Sequence, residues 1–496
     1  MRLKKESVIF LLSSLIIITL ANIASADWTM VGGSSDRRSW TNTFLPDYSS
    51  ETGYNSTGLI TNLTSSFFAG ESSPIIIDDV AYILGKNTNI TALNITSLSI
   101  IWSHGISPIT YAAPAIAEGV ICYGENSKFT CRNAANGNLL WSYSEAGISF
   151  KHSYPTIINN VVWSGSSRNS VNPKLYAFNL TTGQIIDSLE APFLYFPPTN
   201  NREVNSPTIS GSMIYFTTVG PGCCDGGLYA VNITDLSEIN WKYEIHPATQ
   251  DGSIGKWGAP TVHNEKIFVT LGGSSNDFVN NPSHVLALNK YDGSVLWRYD
   301  ITDAGFWIDR AIPAAYGGKI IFAAHDGTDG FGLSDRTYIY ALNEENGSLI
   351  WKSNLIPFGH WSSPTIADSK VVMGTVSELC VLDSLDGSTI WTKPFNNNHY
   401  GFAALSNNKA FTVDSVGNLK SYKADTDHRA PLNNLGGGAA GGGGNINVII
   451  NAKRTADIEI NITVIPFVPP PGANLTITKF LSVQDLDLDE GTFETE

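Results

Sequence analysis

Two short patterns of apolar and polar positions recur along the chain. The first reads LYAFNLTTGQIID, LYAVNITDLSEINW, VLALNKYDGSVLW, IYALNEENGSLIW and LCVLDSLDGSTIW. Each copy alternates apolar and polar residues, passes a polar turn that usually holds Asp or Asn before Gly, and resumes in a second strand that usually ends in Trp. Alternation with period two around a turn glycine predicts a β-hairpin. Trp141, Trp297, Trp351 and Trp391 each lie four residues after Gly137, Gly293, Gly347 and Gly387, and Trp102 and Trp241 hold the same place in copies lacking the glycine. Upstream of each hairpin is a second pair of strands, such as NSPTISGSMIYFT and SSPTIADSKVVMG. These are anchored on Pro74, Pro114, Pro155, Pro207, Pro260, Pro313 and Pro364, at intervals of 40 to 53 residues. Four short strands per unit at this period predict a β-propeller blade.

An eighth unit, GFAALSNNKAFTVDSVGNLKSYKA, lacks the proline but keeps the strands. The expected fold is therefore all-β, an eight-bladed β-propeller over residues 27–430. The last unit has no Trp-ended outer strand after Lys423, whereas Asp27-Trp28-Thr29-Met30 supplies one, so the N-terminal segment is expected to complete the eighth blade and close the ring. Residues 431–444, which include LGGGAAGGGG, read as a flexible linker. Residues 445–496 form a small β-rich tail with an acidic C-terminus, its strands broken at Pro469, Pro470 and Pro471. It is either a module in its own right or a segment that depends on a partner.

The first residues change the picture of where the protein works. Arg2, Lys4 and Lys5 precede the largely apolar run from Val8 to Leu20, and Ala24-Ser25-Ala26 follows, the pattern of a signal peptide over residues 1–26. The run is shorter than the roughly 20 residues a spanning helix needs, so the mature chain is expected without a transmembrane segment. It would be secreted: extracellular, periplasmic or at the cell surface. Only 15% of the 496 residues are charged, the net charge is −15, and no basic stripe exists, which excludes nucleic acid as a partner. Asn-x-Ser/Thr triplets occur at Asn55, Asn62, Asn89, Asn94, Asn179, Asn232, Asn346, Asn461 and Asn474. They are candidate glycosylation sites, or chance triplets in a chain rich in Asn and Thr.

Taken together, the Pro-x-Ile strand pairs, the LYALN-type hairpins and the opening DWTMVGGSSDRRSW resemble the pyrroloquinoline quinone (PQQ) repeat propellers, over roughly residues 27–425. That family holds quinoprotein dehydrogenases as well as members that bind no quinone, among them the outer-membrane assembly lipoprotein, a protein-binding scaffold. Fold alone does not choose between them. In the enzymes, calcium is held by a Glu, an Asn and often a second acidic residue, an Asp acts as base, and a Trp and a vicinal disulfide sandwich the quinone. Hard oxygens suit calcium, which polarises the quinone carbonyl.

Carried over residue by residue, the resemblance is incomplete. Cys223-Cys224 is a vicinal pair, but it lies in the loop before a third strand, where the enzymes place the calcium Glu; Cys223, Cys224 and Asp225 stand there instead. In the next unit, Gly272 and Gly273 occupy the place of the calcium Asn, and Asp277 is the candidate base. In WRYDITDAGFWIDRAIP, Trp307 and Asp309 echo the enzyme sequence, and Arg336 lies near a quinone-contacting basic position. The alternative role of Cys223 and Cys224 is a disulfide stiffening a loop in an oxidising compartment. Cys122 and Cys131 bracket ICYGENSKFTC and face each other across a hairpin if its turn centres on Asn126-Ser127, which favours a disulfide over metal binding. Cys380 reads as a small buried hydrophobe. His325-Asp326 and His360-Trp361 sit near blade edges without zinc-site spacing, and no GxSxG elbow occurs.

The leading expectation is a secreted, monomeric, non-catalytic scaffold without cofactor. It would bind a protein, glycan or cell-envelope partner through the long loops Ser164–Pro173, Gly220–Gly227, Gly272–Pro282 and His325–Arg336. One alternative is a PQQ- and calcium-dependent quinoprotein dehydrogenase acting on alcohols or sugars, with Asp277 and Asp309 catalytic and Cys223, Cys224, Asp225, Trp307 and Arg336 at the cofactor. Another is a structural cell-surface protein.

Overall fold

The computed structural model describes residues 73–424 apart from several connecting segments. It also gives the backbone of Trp40–Thr41, Ser49–Thr52 and four short strands of the tail. All regular elements among the described residues are strands. Seven units each fold into an antiparallel sheet whose four strands follow one another in chain order, with inner strands Ile75–Ile77, Ala115–Ala117, Thr156–Ile158, Thr208–Ser210, Thr261–His263, Ala314–Tyr316 and Thr365–Ala367. These seven propeller blades are one fewer than the eight expected. The last unit forms three consecutive strands, Ala404–Ser406, Lys409–Val413 and Leu419–Ala424, and its outermost strand is Ser49–Thr52. Ser49 pairs with Ala424 and Thr52 with Ser421, antiparallel. The strand expected there, Asp27–Met30, lies outside the described residues.

Second and third strands are apolar almost throughout because each blade is covered on both faces by its neighbours. Val80–Leu84, Val120–Gly124 and Lys174–Asn179 are buried over four consecutive positions. The core therefore lies between blades: Phe129, Trp141, Phe150, Tyr176 and Phe178 form one such cluster across the second and third units. Near the axis, Thr156, Thr208 and Thr261 donate their hydroxyls to the carbonyls of Pro207, Pro260 and Pro313 of the next blade, at 2.6–2.7 Å. The recurrent Pro-Thr dipeptide thus ties inner strands to one another around the ring.

The recurrent Trp and Gly are one device. Five of the Trp indole N–H groups donate at 2.8–3.0 Å to a carbonyl of the next blade: Trp102 to Ala134, Trp141 to Leu180, Trp241 to Lys290, Trp297 to Glu344 and Trp351 to Ser384. Each of these rings covers the turn glycine of that blade, at Gly137, Gly183, Gly293, Gly347 and Gly387. These glycines have φ of +71° to +74°, and an added Cβ would come within 2.4–2.6 Å of the ring. Both the left-handed backbone and the close approach require Gly. The third unit carries Asp187 at the Trp place, and the fourth unit's turn has no Gly; there Asp187 accepts the Leu236 amide at 3.1 Å.

In the tail, Asn451–Arg454 pairs with Asp457–Glu459 and Leu475–Ile477 with Gly491–Phe493. Residues 1–26 and 431–444 lie outside the described residues. No helix among the described residues is long and apolar enough to cross a membrane.

Candidate binding face

Because the strands of a blade alternate in direction, its tight turns leave from one face. The connections between second and third strands, and those between blades, leave from the other. This connection face carries its own short strands. Ile148–Ser149 pairs with Ser167–Arg168, which pairs with Arg202–Val204, which pairs with Met213–Val219, so one ribbon runs across the second, third and fourth units. In the sixth unit, Phe306–Trp307 and Ile356–Pro357 add to the ends of Lys319–Asp326 and Arg336–Asn343.

Two candidate residues belong to that one sheet. Trp307 pairs with His325, Phe306 with Asp326, and the Arg336 amide donates to the Asp326 carboxylate, so the Trp307 and Arg336 strands lie on opposite sides of Lys319–Asp326. The segment is fixed on its other side by buried Ser283, whose hydroxyl accepts the Ile308 amide at 3.0 Å and whose carbonyl accepts the Ile301 amide at 2.8 Å. Arg336 is exposed and His325 buried. Cys223, Cys224, Asp225, Asp277, Asp309 and His360 lie outside the described residues. Gly272 is described and buried.

The described residues supply no complete calcium and quinone site. Gly272 has no side-chain oxygen at the place of the calcium Asn, and an Asp326 oxygen is already engaged by the Arg336 amide. Among the described residues no three His, Cys, Asp or Glu side chains come together around a point.

Sequence reasoning missed the carboxylates that pin the connection face to the blades. Glu145, just beyond the second unit, accepts the Tyr176 hydroxyl at 2.7 Å, the Tyr143 hydroxyl at 2.8 Å and the Lys174 ammonium at 3.1 Å. Asp303, beyond the fifth unit, accepts the Tyr340 hydroxyl at 2.5 Å and the Lys352 ammonium at 2.7 Å, while Lys352 sits 4.2 Å over the Tyr338 ring. The available signal was a carboxylate shortly after the outer strand, paired with the Tyr of the LYAFN or IYALN strand in the next blade.

Burial opposes ionisation of Glu145, but the hydrogen bonds from Tyr176, Tyr143 and Lys174 outweigh it and hold the carboxyl at about 2. A carboxyl depressed in the folded state stabilises above its ordinary value of 4.5 and loses that contribution as pH falls toward 2. The stability gap between the unaltered chain and Glu145→Gln, measured by urea unfolding, is therefore expected to be widest near neutrality and to narrow between these values. A gap independent of pH contradicts the assignment.

Cys122 and Cys131 are opposite one another in the ladder, with Cα atoms 4.2 Å apart, and form a buried disulfide. Cys380 is buried, and burial followed by the neighbouring Glu378 pushes its thiol pKa up. Four Asn-x-Ser/Thr triplets have a structural role. The carboxamide oxygens of Asn94, Asn179, Asn232 and Asn346 accept the amides of Thr96, Thr181, Thr234 and Ser348 at 2.9–3.0 Å, shaping the tight turns. Asn133 and Asn289 do the same outside any such triplet. Asn89 opens a third strand, and Asn55, Asn62, Asn461 and Asn474 lie outside the described residues.

The model for the outer membrane protein assembly factor BamB family matches residues 58–188 and 335–430. Tetrathionate hydrolase of Acidithiobacillus ferrooxidans is 21% identical over 59% of this chain and 61% of its own length. The chain thus spans about three-fifths of that relative. Among solved structures, the quinohemoprotein alcohol dehydrogenase ADHIIG of Pseudomonas putida HK5 matches with TM-score 0.59 and 12% identity, over 83% of this chain and 81% of its own. BamB of Moraxella catarrhalis matches with TM-score 0.54 and 13% identity, over 71% of this chain and 96% of its own. The resemblance to PQQ-repeat propellers drawn from the repeats is thereby met in sequence and in fold.

Proposed function

We propose that this PQQ-like repeat propeller is a non-catalytic scaffold that holds a protein partner on its connection face, outside the cytoplasm. The observation that carries the reading is the connection face itself: short accessory strands and buried Ser283 hold its loops, while Gly272 leaves a calcium and quinone site without a required oxygen. Rigidly mounted loops suit recognition. That the N-terminal segment and the last unit close the ring belongs to this reading. It is supported by Ser49–Thr52 on the last unit and by the contact between the inner strands Ala404–Ser406 and Ile75–Ile77. The leader-like first 26 residues and the Cys122–Cys131 disulfide support an oxidising compartment.

The dehydrogenase alternative draws on Trp307 and Arg336 in one sheet, and lacks the side-chain oxygen that the resemblance expects at Gly272. To test the scaffold reading, Asn276 to Asn280 are replaced by Gly and Ser, and both chains are photocrosslinked in envelope preparations of the native cell. Loss of the partner adduct with an unchanged melting temperature is the expected result. An unchanged adduct counts against binding through these loops.

A further inference from the structure

The innermost strand of each blade turns one row of backbone N–H and C=O groups toward the axis. In the seventh unit that row is occupied. Trp40–Thr41 pairs with Thr365–Ala367, Trp40 opposite Ile366 and Thr41 opposite Ala367. It lies on the side away from the second strand, Lys370–Gly374, and also against the neighbouring inner strand Ala314–Tyr316. This is the one parallel pairing among the described residues; every blade ladder is antiparallel. The segment therefore enters the axial channel, while Ser49–Thr52 shortly afterwards lies on an outermost edge.

The axial ladder joins two residue pairs, whereas the second and third strands of the third unit join five. So short a ladder returns little main-chain bonding for the freedom lost by the segment, and short edge pairings open locally without global unfolding. An open inner edge is a template for another extended chain, which it recognises chiefly through backbone hydrogen bonds.

We propose that the axial edge of Thr365–Ala367 is a peptide-binding edge, filled here by the protein's own Trp40–Thr41 and open to an extended segment of a partner protein when that strand leaves. The internal occupant lowers the apparent affinity for the outside segment by the fraction of time the edge is filled. The axial edge and the Asn276 to Asn280 loop belong to different parts of the ring, so this inference and the proposed function fail separately.

The test uses a fluorescent peptide of residues 36–44, DRRSWTNTF. It is titrated into the full chain and into a full-length variant carrying a Gly/Ser tract of equal length at those positions. Saturable one-to-one binding to the variant, at least about tenfold tighter than to the unaltered chain, is expected, and a scrambled peptide should not bind. A folded variant that does not bind, or equal binding by both chains, overturns the proposal. If the variant does not fold, hydrogen exchange on the unaltered chain decides. Amides of Trp40–Thr41 exchanging at least about tenfold faster than those of Lys370–Gly374 support a displaceable strand. Exchange at the same rate as those amides makes it a fixed part of the core and overturns the proposal.

Discussion

Trp297→Ala is expected to lower the unfolding free energy by about 3–5 kcal/mol, the range for large aromatics removed from cores. Trp297 is 8% exposed, packs against Phe268 and donates to the Glu344 carbonyl at 3.0 Å, so its loss opens a cavity between the fifth and sixth units and orphans an acceptor. Gly347→Ala has a different cause: it forces a Cβ to 2.6 Å from the Trp297 ring at a φ of +71°. The two changes should be strongly non-additive, because Trp297→Ala removes the atoms that the new Cβ would strike. A double-mutant cycle by urea unfolding checks this; two independent costs that simply add would separate the Trp from the Gly.

Removing the disulfide with Cys122→Ala and Cys131→Ala is expected to cost about 2–3 kcal/mol, the loop-entropy value for a closed loop of about ten residues. Both sulfurs are buried beside Phe129 and Trp141, so the small cavities left behind add to that cost. The effect should appear as a lower denaturant midpoint. Reducing agent should move the unaltered chain to a lower midpoint and leave the double variant where it is. A midpoint insensitive to both treatments would mean that the pairing of Cys122 with Cys131 contributes nothing beyond packing.

The propeller was legible because its stabilising device is local in sequence and repeated. A Trp four residues after a turn Gly marks four of the outer strands, and Pro-Thr marks four of the inner ones. The coupling of Asp187, in place of Trp, to the turn without Gly in the next unit was seen only in the structure. The outermost strand of the last unit was harder to read. Asp27-Trp28-Thr29-Met30 has the apolar pattern of an outer strand, but Ser49–Thr52, with the sequence SSET, is the segment paired to Leu419–Ala424. Such a pairing rests on backbone hydrogen bonds across most of the chain's length and leaves no side-chain signature.

The candidate site was legible only in pieces. Trp307 and Arg336 were picked out from separate motifs, and strand pairing places them in one sheet, on either side of Lys319–Asp326. The Glu145 and Asp303 clusters escaped notice because each joins residues of two blades, and a carboxylate in a connection looks like a solvated residue until the neighbouring Tyr is placed over it.

The central claim, a scaffold that does not work through a quinone, is tested most directly by titrating the purified chain with PQQ in the presence and absence of calcium while following tryptophan fluorescence. The scaffold account predicts no saturable, calcium-dependent quenching. One-to-one binding that requires calcium would contradict it and assign the connection face to redox chemistry.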